Sequence, residues 1–356
     1  MFVYVGAYTE SPMGIAKGIE IFRFDPDDGS LEATASVPGI SNPSYLALHR
    51  GKDMVYAGER FLYAANELRE GFVTALERDP ESGGLTLLNS QTSFGADPCY
   101  VCVDGSGSCV LTANYSSGTI AAFPINPDGS LQPASSMIQH EGSSIKAGRQ
   151  AGPHAHMIAP SPVAGFVLAT DLGTDRVEIY TFDESDCSLK HHKSIEIEPG
   201  SGPRHFAFGK SGATLYVINE LSSTVSVLDW DGGEGIATLR QTTSTLPADF
   251  SGESTCAHIV VSPDGRFVYG SNRGHDSIAI FSVHESTGAL TPLGHQLTGG
   301  KEPRNFAIDP SGNWLLAANQ HSDTIVTFRR DQVSGLLAET GILTATPTPV
   351  CVVFSE

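Results

Sequence analysis

The 356-residue chain contains no apolar run of the ~18 residues that a membrane-crossing helix requires. Positive charge is scarce as well, with seven lysines and a formal net charge of −19. Gripping a phosphate backbone takes a basic face, so neither nucleic acid nor a membrane is an expected partner. A small anion stays open, because a local cluster of arginines can invert the field inside a pocket. Long helical patterns are missing. In their place, 38 glycines and 21 prolines punctuate short apolar runs rich in β-branched residues, which implies an all-β fold. The opening MFVYVGAYTE has no basic n-region and no long apolar h-region. Phe2–Val5 already reads as a strand, so a cytoplasmic location is expected.

Several chemistries lack their signatures. No G-x-S-x-G, H-E-x-x-H, Walker A or dinucleotide fingerprint is present. The six cysteines (Cys99, Cys102, Cys109, Cys187, Cys256, Cys351) show no disulfide framework. Cys99 and Cys102 sit three apart in a strand-like run and so point to opposite faces, which suits neither a metal nor a redox turn. Reduced core thiols are expected, with no metal and no cofactor.

What the chain has in abundance is repetition. A first-strand motif appears as PSYLAL at Pro43, PCYVCV at Pro98, PHAHMI at Pro153 and PRHFAF at Pro203. It returns as CAHIVV at Cys256, PRNFAI at Pro303 and PVCVVF at Pro349. A second motif follows it as VLTANY, VLATDL, LYVINE, FVYGSNR and LLAANQ, and opens the chain as FVYVGAY. Tyr100 to Asn114, His205 to Asn219, His258 to Asn272 and Asn305 to Asn319 are each fourteen residues apart. The same step from Tyr45 lands on Glu59, which makes Met54–Gly58 the expected second strand there and FLYAANELREG a loop. A rival register through Phe61–Asn66 fits the motif better but breaks the spacing. The Pro153 copy reads as two residues longer, a difference assigned to the turn APSPVAG.

Third strands such as Gly18–Phe24, Thr119–Phe123 and Ser277–Phe281 come next, and turns such as DPDDGSL or ESTGAL lead into a fourth. Four antiparallel strands repeated seven times at about 50 residues specify a seven-bladed β-propeller. One blade has its first half only at the C-terminus and its second half only at the N-terminus. Val350–Phe354 should therefore pair with Phe2–Ala7 to close the ring, and 1–356 reads as one domain.

First-strand starts and second-strand ends share one face of a propeller, around the channel mouth. After the leading proline (or its equivalent) the ring reads Ser44, Cys99, His154, Arg204, Ala257, Arg304, Val350. One step on come Tyr45, Tyr100, Ala155, His205, His258, Asn305 and Cys351. After the asparagine position it reads Tyr8, Arg60, Tyr115, Leu172, Glu220, Arg273, Gln320. Apolar strand positions repeat around the ring while these mouth positions diverge into His, Arg, Glu and Gln. Such a set suits an anionic substrate and acid–base chemistry. Glu220 among arginines should stay ionised, as a base or as an arginine anchor. His154 is the preferred general base by residue type, and His156 the packed histidine below it. The long connections Gln139–Gly152 and Leu246–Thr255 enter on this face and are placed to cover a substrate.

At these residues the sequence resembles a known family. GSGPRHFAF, INELSSTV, AHIVVSPDGRFVYGSNRGHDSIAIF and PRNFAIDPSG…LLAANQ are similar to the seven-bladed lactonases that include bacterial 6-phosphogluconolactonases, with fungal carboxy-muconate cyclases as relatives. The resemblance implies metal-free hydrolysis of 6-phospho-glucono-1,5-lactone to 6-phosphogluconate. By motif it makes His154, Glu220, Arg204 and Arg273 catalytic, and puts His205, His258, Arg304 and Gln320 around the substrate. MVYAGERFLYAANE is longer than the family's usual strand and tip, so Glu59 and Arg60 are left without a role. A lactonising cyclase, or a lactonase for another sugar acid, needs the same mouth. A non-catalytic propeller would instead present a broad apolar or mixed-charge rim to a protein partner.

Overall fold

Hairpins between successive repeat halves share one register. Pro98 faces Asn114, Pro203 faces Asn219 and Pro303 faces Asn319 across antiparallel pairs. A proline suits a strand start, where no ladder donor is needed. The computed structural model describes residues 1–49, 60–163 and 165–355. Its strands form seven four-stranded antiparallel sheets, and the chain is an all-β, seven-bladed propeller. Pro349–Phe354 pairs with Phe2–Ala7, followed outward by Gly18–Phe24 and Leu31–Pro38, which closes the ring between the two ends of the chain. Among the described residues, the one helical element is a 3-10 turn at Gln320–Ser322.

The core lies between sheets. Val3, Val5, Phe22 and Phe24 of the closing blade pack against Trp314, Leu316 and Ile325 of the preceding one. Second strands are buried throughout, as in Thr214–Asn219 and Trp314–Asn319, because both faces meet a neighbouring blade. Fourth strands such as Leu31–Pro38 are mostly exposed, which is why only their turns announced them. Adjacent blades are also tied by a repeated hydrogen bond. The hydroxyls of Tyr4, Tyr63, Tyr216 and Tyr269 donate to the carbonyls of Gly83, Gly129, Gly288 and Gly335 in the outer turn of the next blade.

Three sequence expectations are corrected. The second strand after Pro43–His49 is Phe61–Asn66, with Pro43 opposite Asn66 and Tyr45 opposite Ala65. Met54–Gly58 and Glu59 lie outside the described residues. Register follows the buried face, and all six residues of FLYAAN are buried, whereas a longer loop costs little. Spacing was the weaker guide.

In the Pro153 copy the strand begins two residues later than its proline suggests. Ala155 faces Asp171, the relation that Pro203 has to Asn219, and His154 precedes the strand. The copy is thus shifted by two residues, not lengthened. Finally, Cys109 and Cys187 form a disulfide, with Cα atoms 5.9 Å apart. The other four cysteines are free.

Candidate active site

A bulge recurs where the first strands begin. The register slips between Pro203 and His205, Pro98 and Tyr100, Ala155 and Met157, and Pro303 and Asn305. Each slip leaves one residue out of the ladder: Arg204, Cys99, His156 and Arg304. A bulge re-aims its side chain, and three of these four, Arg204 excepted, line a cavity of about 400 Å³ at the mouth. Second-strand ends supply Tyr8, Glu67, Tyr115, Glu220, Arg273 and Gln320 to the same cavity.

Glu220 is its electrostatic centre. Oε2 accepts from Arg204 Nε at 3.0 Å and pairs with Arg273 Nη2 at 3.0 Å, while Oε1 accepts from Arg149 Nη2 at 2.5 Å. Burial alone would raise its carboxyl, but Arg273, Arg204 and Arg149 hold it well below the usual carboxylate range. Both of its oxygens are already taken up by guanidinium donors. Glu220 therefore anchors arginines.

The arginines differ in what they have left to offer. Arg204 is buried, and its Nη1 donates to the Ala257 carbonyl. Burial and the neighbouring Arg273 and Arg304 push it down to about 10, so it stays charged at neutral pH. Arg273 Nη2 donates to the Cys256 carbonyl at 2.9 Å, while its buried Nε has no partner among the described residues. Arg304 sits 5.4 Å from the Tyr8 ring centroid and 3.8 Å from Glu67 Oε2, and no group among the described residues accepts a hydrogen bond from it. Tyr8 Oη donates to Glu67 at 2.8 and 2.9 Å.

The histidines separate by position. His156 lines the cavity, with Nδ1 3.5 Å from Cys99 Sγ. Burial, then Arg204, pushes its imidazole well below the usual value, so the ring is neutral. His154 does not reach the cavity wall. Its ring stacks on Tyr115 at 4.5 Å, and Nδ1 donates to the Tyr115 carbonyl at 2.9 Å. His205 and His258 lie off the wall too, joined Nδ1 to Nδ1 at 2.8 Å and packed edge-on to Tyr45. Burial keeps both neutral, His258 at about 3. Of the eight expected site residues, Glu220, Arg273, Arg304 and Gln320 border the cavity, Arg204 braces it from behind, and His154, His205 and His258 stand outside its wall.

Residues that motif reasoning left out of the site are Tyr8, Glu67, Cys99, Tyr115, His156 and Arg149. Glu67 takes the ring position expected of Arg60, which instead pairs with Glu77. Its signal was present, since FLYAANE ends in Asn-Glu as LYVINE does. Arg149 rides on the Gln139–Gly152 connection, whereas Leu246–Thr255 contributes no side chain to the wall. A larger groove of about 1120 Å³ lies on the opposite face, between the turns at Gly209–Ala213 and Gly265–Phe267. Its Arg240 and Arg266 are already paired with Asp229 and Asp264. No group of His, Cys, Asp and Glu among the described residues is arranged to hold a metal.

Residues 2–354 match the family model described as Lactonase, 7-bladed beta-propeller. The chain belongs to that family. As a family lactonase it is a carboxylic ester hydrolase. It is 38% identical over 351 residues to the 6-phosphogluconolactonase of Bacillus subtilis strain 168, covering 99% of this chain and 97% of that one. The 6-phosphogluconolactonase of Formosa agariphila is 36% identical over 349 residues, with 94% of each chain covered. Among solved structures, the periplasmic gluconolactonase of Pseudomonas aeruginosa superposes with a TM-score of 0.91 at 31% identity, over 100% of this lactonase and 99% of that chain.

Proposed function

We propose that this lactonase hydrolyses 6-phospho-D-glucono-1,5-lactone to 6-phosphogluconate, the ring-opening step of the pentose phosphate pathway. The observation that supports it most is the charge at the mouth. Four guanidinium groups (Arg149, Arg204, Arg273, Arg304) converge with three carboxylates (Glu67, Glu220, Glu302) in a chain whose net charge is −19. Positive charge is concentrated there against the trend of the whole molecule, which is what drawing in an anion requires.

His156, neutral and on the cavity wall, takes a proton from water as the water oxygen bonds to lactone C1. The carbonyl π pair moves onto oxygen, and Arg273 stabilises that oxyanion while held by Glu220. Collapse of the tetrahedral intermediate breaks the bond from C1 to the ring oxygen, which takes the proton back from His156. The acid formed at C1 then loses its own proton to solvent. Glu220 and Arg204 position Arg273, and Arg304 holds the substrate phosphate.

The test is hydrolysis of freshly prepared phosphogluconolactone, followed by coupled reduction of a nicotinamide and corrected for spontaneous opening. A rate no higher than the spontaneous one overturns the reading. A second reading, an unphosphorylated sugar lactone, is favoured by the likeness to the periplasmic gluconolactonase. We place the enzyme in the cytoplasm with its substrate. The Cys109–Cys187 disulfide argues the other way, since cytosolic thiols are kept reduced. Thiol alkylation of the protein as isolated from its own cells decides between them.

A further inference from the structure

The catalytic reading accounts for Glu220, Arg204 and Arg273 but leaves Arg149 unexplained. This arginine does not belong to a blade. It comes from the connection that follows Ser136–Gln139, and that connection is built to hold its shape. Gln150 beside it is fully buried and donates to the Leu172 carbonyl at 2.9 Å. The amides of Arg149 and Gln150 both return to the Lys146 carbonyl, closing a tight turn. Lys146 Nζ donates to the Leu221 carbonyl at 2.8 Å, tying the turn to the residue after Glu220. The connection begins at His140, whose buried ring lies between Asp171 and Tyr180 at 2.7 and 2.9 Å.

The side chain thus delivered is placed for a ligand. Arg149 is 43% exposed, against 9% for Arg273 and 18% for Arg304 on the same cavity. One nitrogen, Nη2, serves both Glu220 and Tyr115. Nε and Nη1 have no partner among the described residues. Arg304, whose guanidinium makes no hydrogen bond among the described residues, lines the same 400 Å³ cavity. Glu220 pairs with Arg204 and Arg273, Glu302 lies 3.6 Å from Arg273, and Glu67 faces Arg304. Four guanidinium groups against three carboxylates leave one positive charge in excess, and the donors of Arg149 and Arg304 that remain free are spread over two planar forks. A phosphate group presents three acceptor oxygens and negative charge, whereas a sugar hydroxyl brings neither.

We propose that Arg149 and Arg304 together form the subsite for the substrate's phosphate, and that Arg149 sets the preference for phosphorylated over unphosphorylated sugar lactones. This rests on the lactonase reading of the cavity. It assigns to a connecting loop, and not to the ring of strands, the choice between the two substrate classes for which the relatives are named.

The experiment compares wild type with R149Q and R149K on 6-phospho-glucono-1,5-lactone and on glucono-1,5-lactone. In parallel, calorimetric titration measures binding of the two products, 6-phosphogluconate and gluconate. R149Q should lower kcat/KM for the phosphorylated lactone at least tenfold more than for the plain one, and R149K should recover part of the ratio. R149Q should also weaken 6-phosphogluconate at least tenfold relative to gluconate. An unchanged ratio, with both substrates falling together or neither falling, overturns the assignment and leaves Arg149 as a support for Glu220. Wild type that opens neither lactone, yet binds 6-phosphogluconate through Arg149, overturns the hydrolase reading and leaves the anion subsite standing. Wild type that binds the two products equally overturns the subsite whatever its activity. Circular dichroism and thermal melts of the variants confirm that the fold is retained.

Discussion

Arg204 Nε donates to Glu220 Oε2 at 3.0 Å, and both side chains are buried. Each charge is tolerable there because of the other. Removing one partner of a buried pair costs about 3–5 kcal/mol, mostly through the charge left behind. E220Q is expected to melt several degrees lower than wild type and to lose hydrolysis almost completely. The folded carboxyl is depressed below its unfolded value of 4.5. Its contribution is therefore fully present above that value and is lost as the pH falls toward the folded one. The stability gap between wild type and E220Q should be constant from pH 8 to about 6 and shrink below about pH 4.5. A gap that widens in acid would contradict the pairing.

The two histidines of the PHAH motif should not be equivalent. His156 occupies the bulge position that Arg204 and Arg304 hold in their blades, and it borders the cavity. His154 is held against Tyr115 outside the wall. H156Q is expected to lower kcat by about 10²–10⁴-fold, the usual weight of a general base. H154Q should cost far less. The reverse order in steady-state kinetics would return the base to His154.

Tyr8 of the closing blade and Glu67 of the blade after it flank Arg304. R304Q is expected to raise KM for a phosphorylated lactone at least tenfold with little change in kcat, the pattern of lost ground-state binding. E67Q removes the carboxylate that competes for the same guanidinium, so its KM should fall or hold. A KM that rises in E67Q would mean that Glu67 orients Arg304, and that its charge is not in competition with the substrate.

The ring of blades was legible because the buried strands repeat: every copy must present the same apolar alternation to its neighbours. The ring closure followed from the same pattern, through PVCVVF at one end and FVYVGAY at the other. The cavity lining was legible where strands end, at Glu220, Arg273 and Gln320. It failed where an assumption about spacing replaced the pattern of burial. Counting fourteen residues from Tyr45 put Arg60 in the place of Glu67, and anchoring on Pro153 put His154 in the place of His156. Arg149 carried no repeat signal at all, because it lies on a connection that the other blades do not copy.

The disulfide occupies a position that the repeat gives to other residues. In most blades the first residue of the second strand packs on a positive-φ glycine in the outer turn of the next blade. Phe61 meets Gly129 in this way, Phe166 meets Gly235, and Phe267 meets Gly335. Cys109 holds the strand position and Cys187, at φ 55°, holds the turn position, so DESDCSL stands where DPDDGSL stands elsewhere. The bond replaces an aromatic contact in locking two blades together. Closing a loop between residues 78 apart removes about 4 kcal/mol of unfolded-chain entropy in the simple loop model. C109A/C187A should therefore melt several degrees below wild type and become indifferent to reductant, while wild type loses stability when reduced. C109A/C187G should recover part of the loss, because glycine adopts the left-handed turn without the strain that alanine meets there. Calorimetry with and without reductant measures all three; a wild-type melting point unmoved by reduction would show that the lock carries no load.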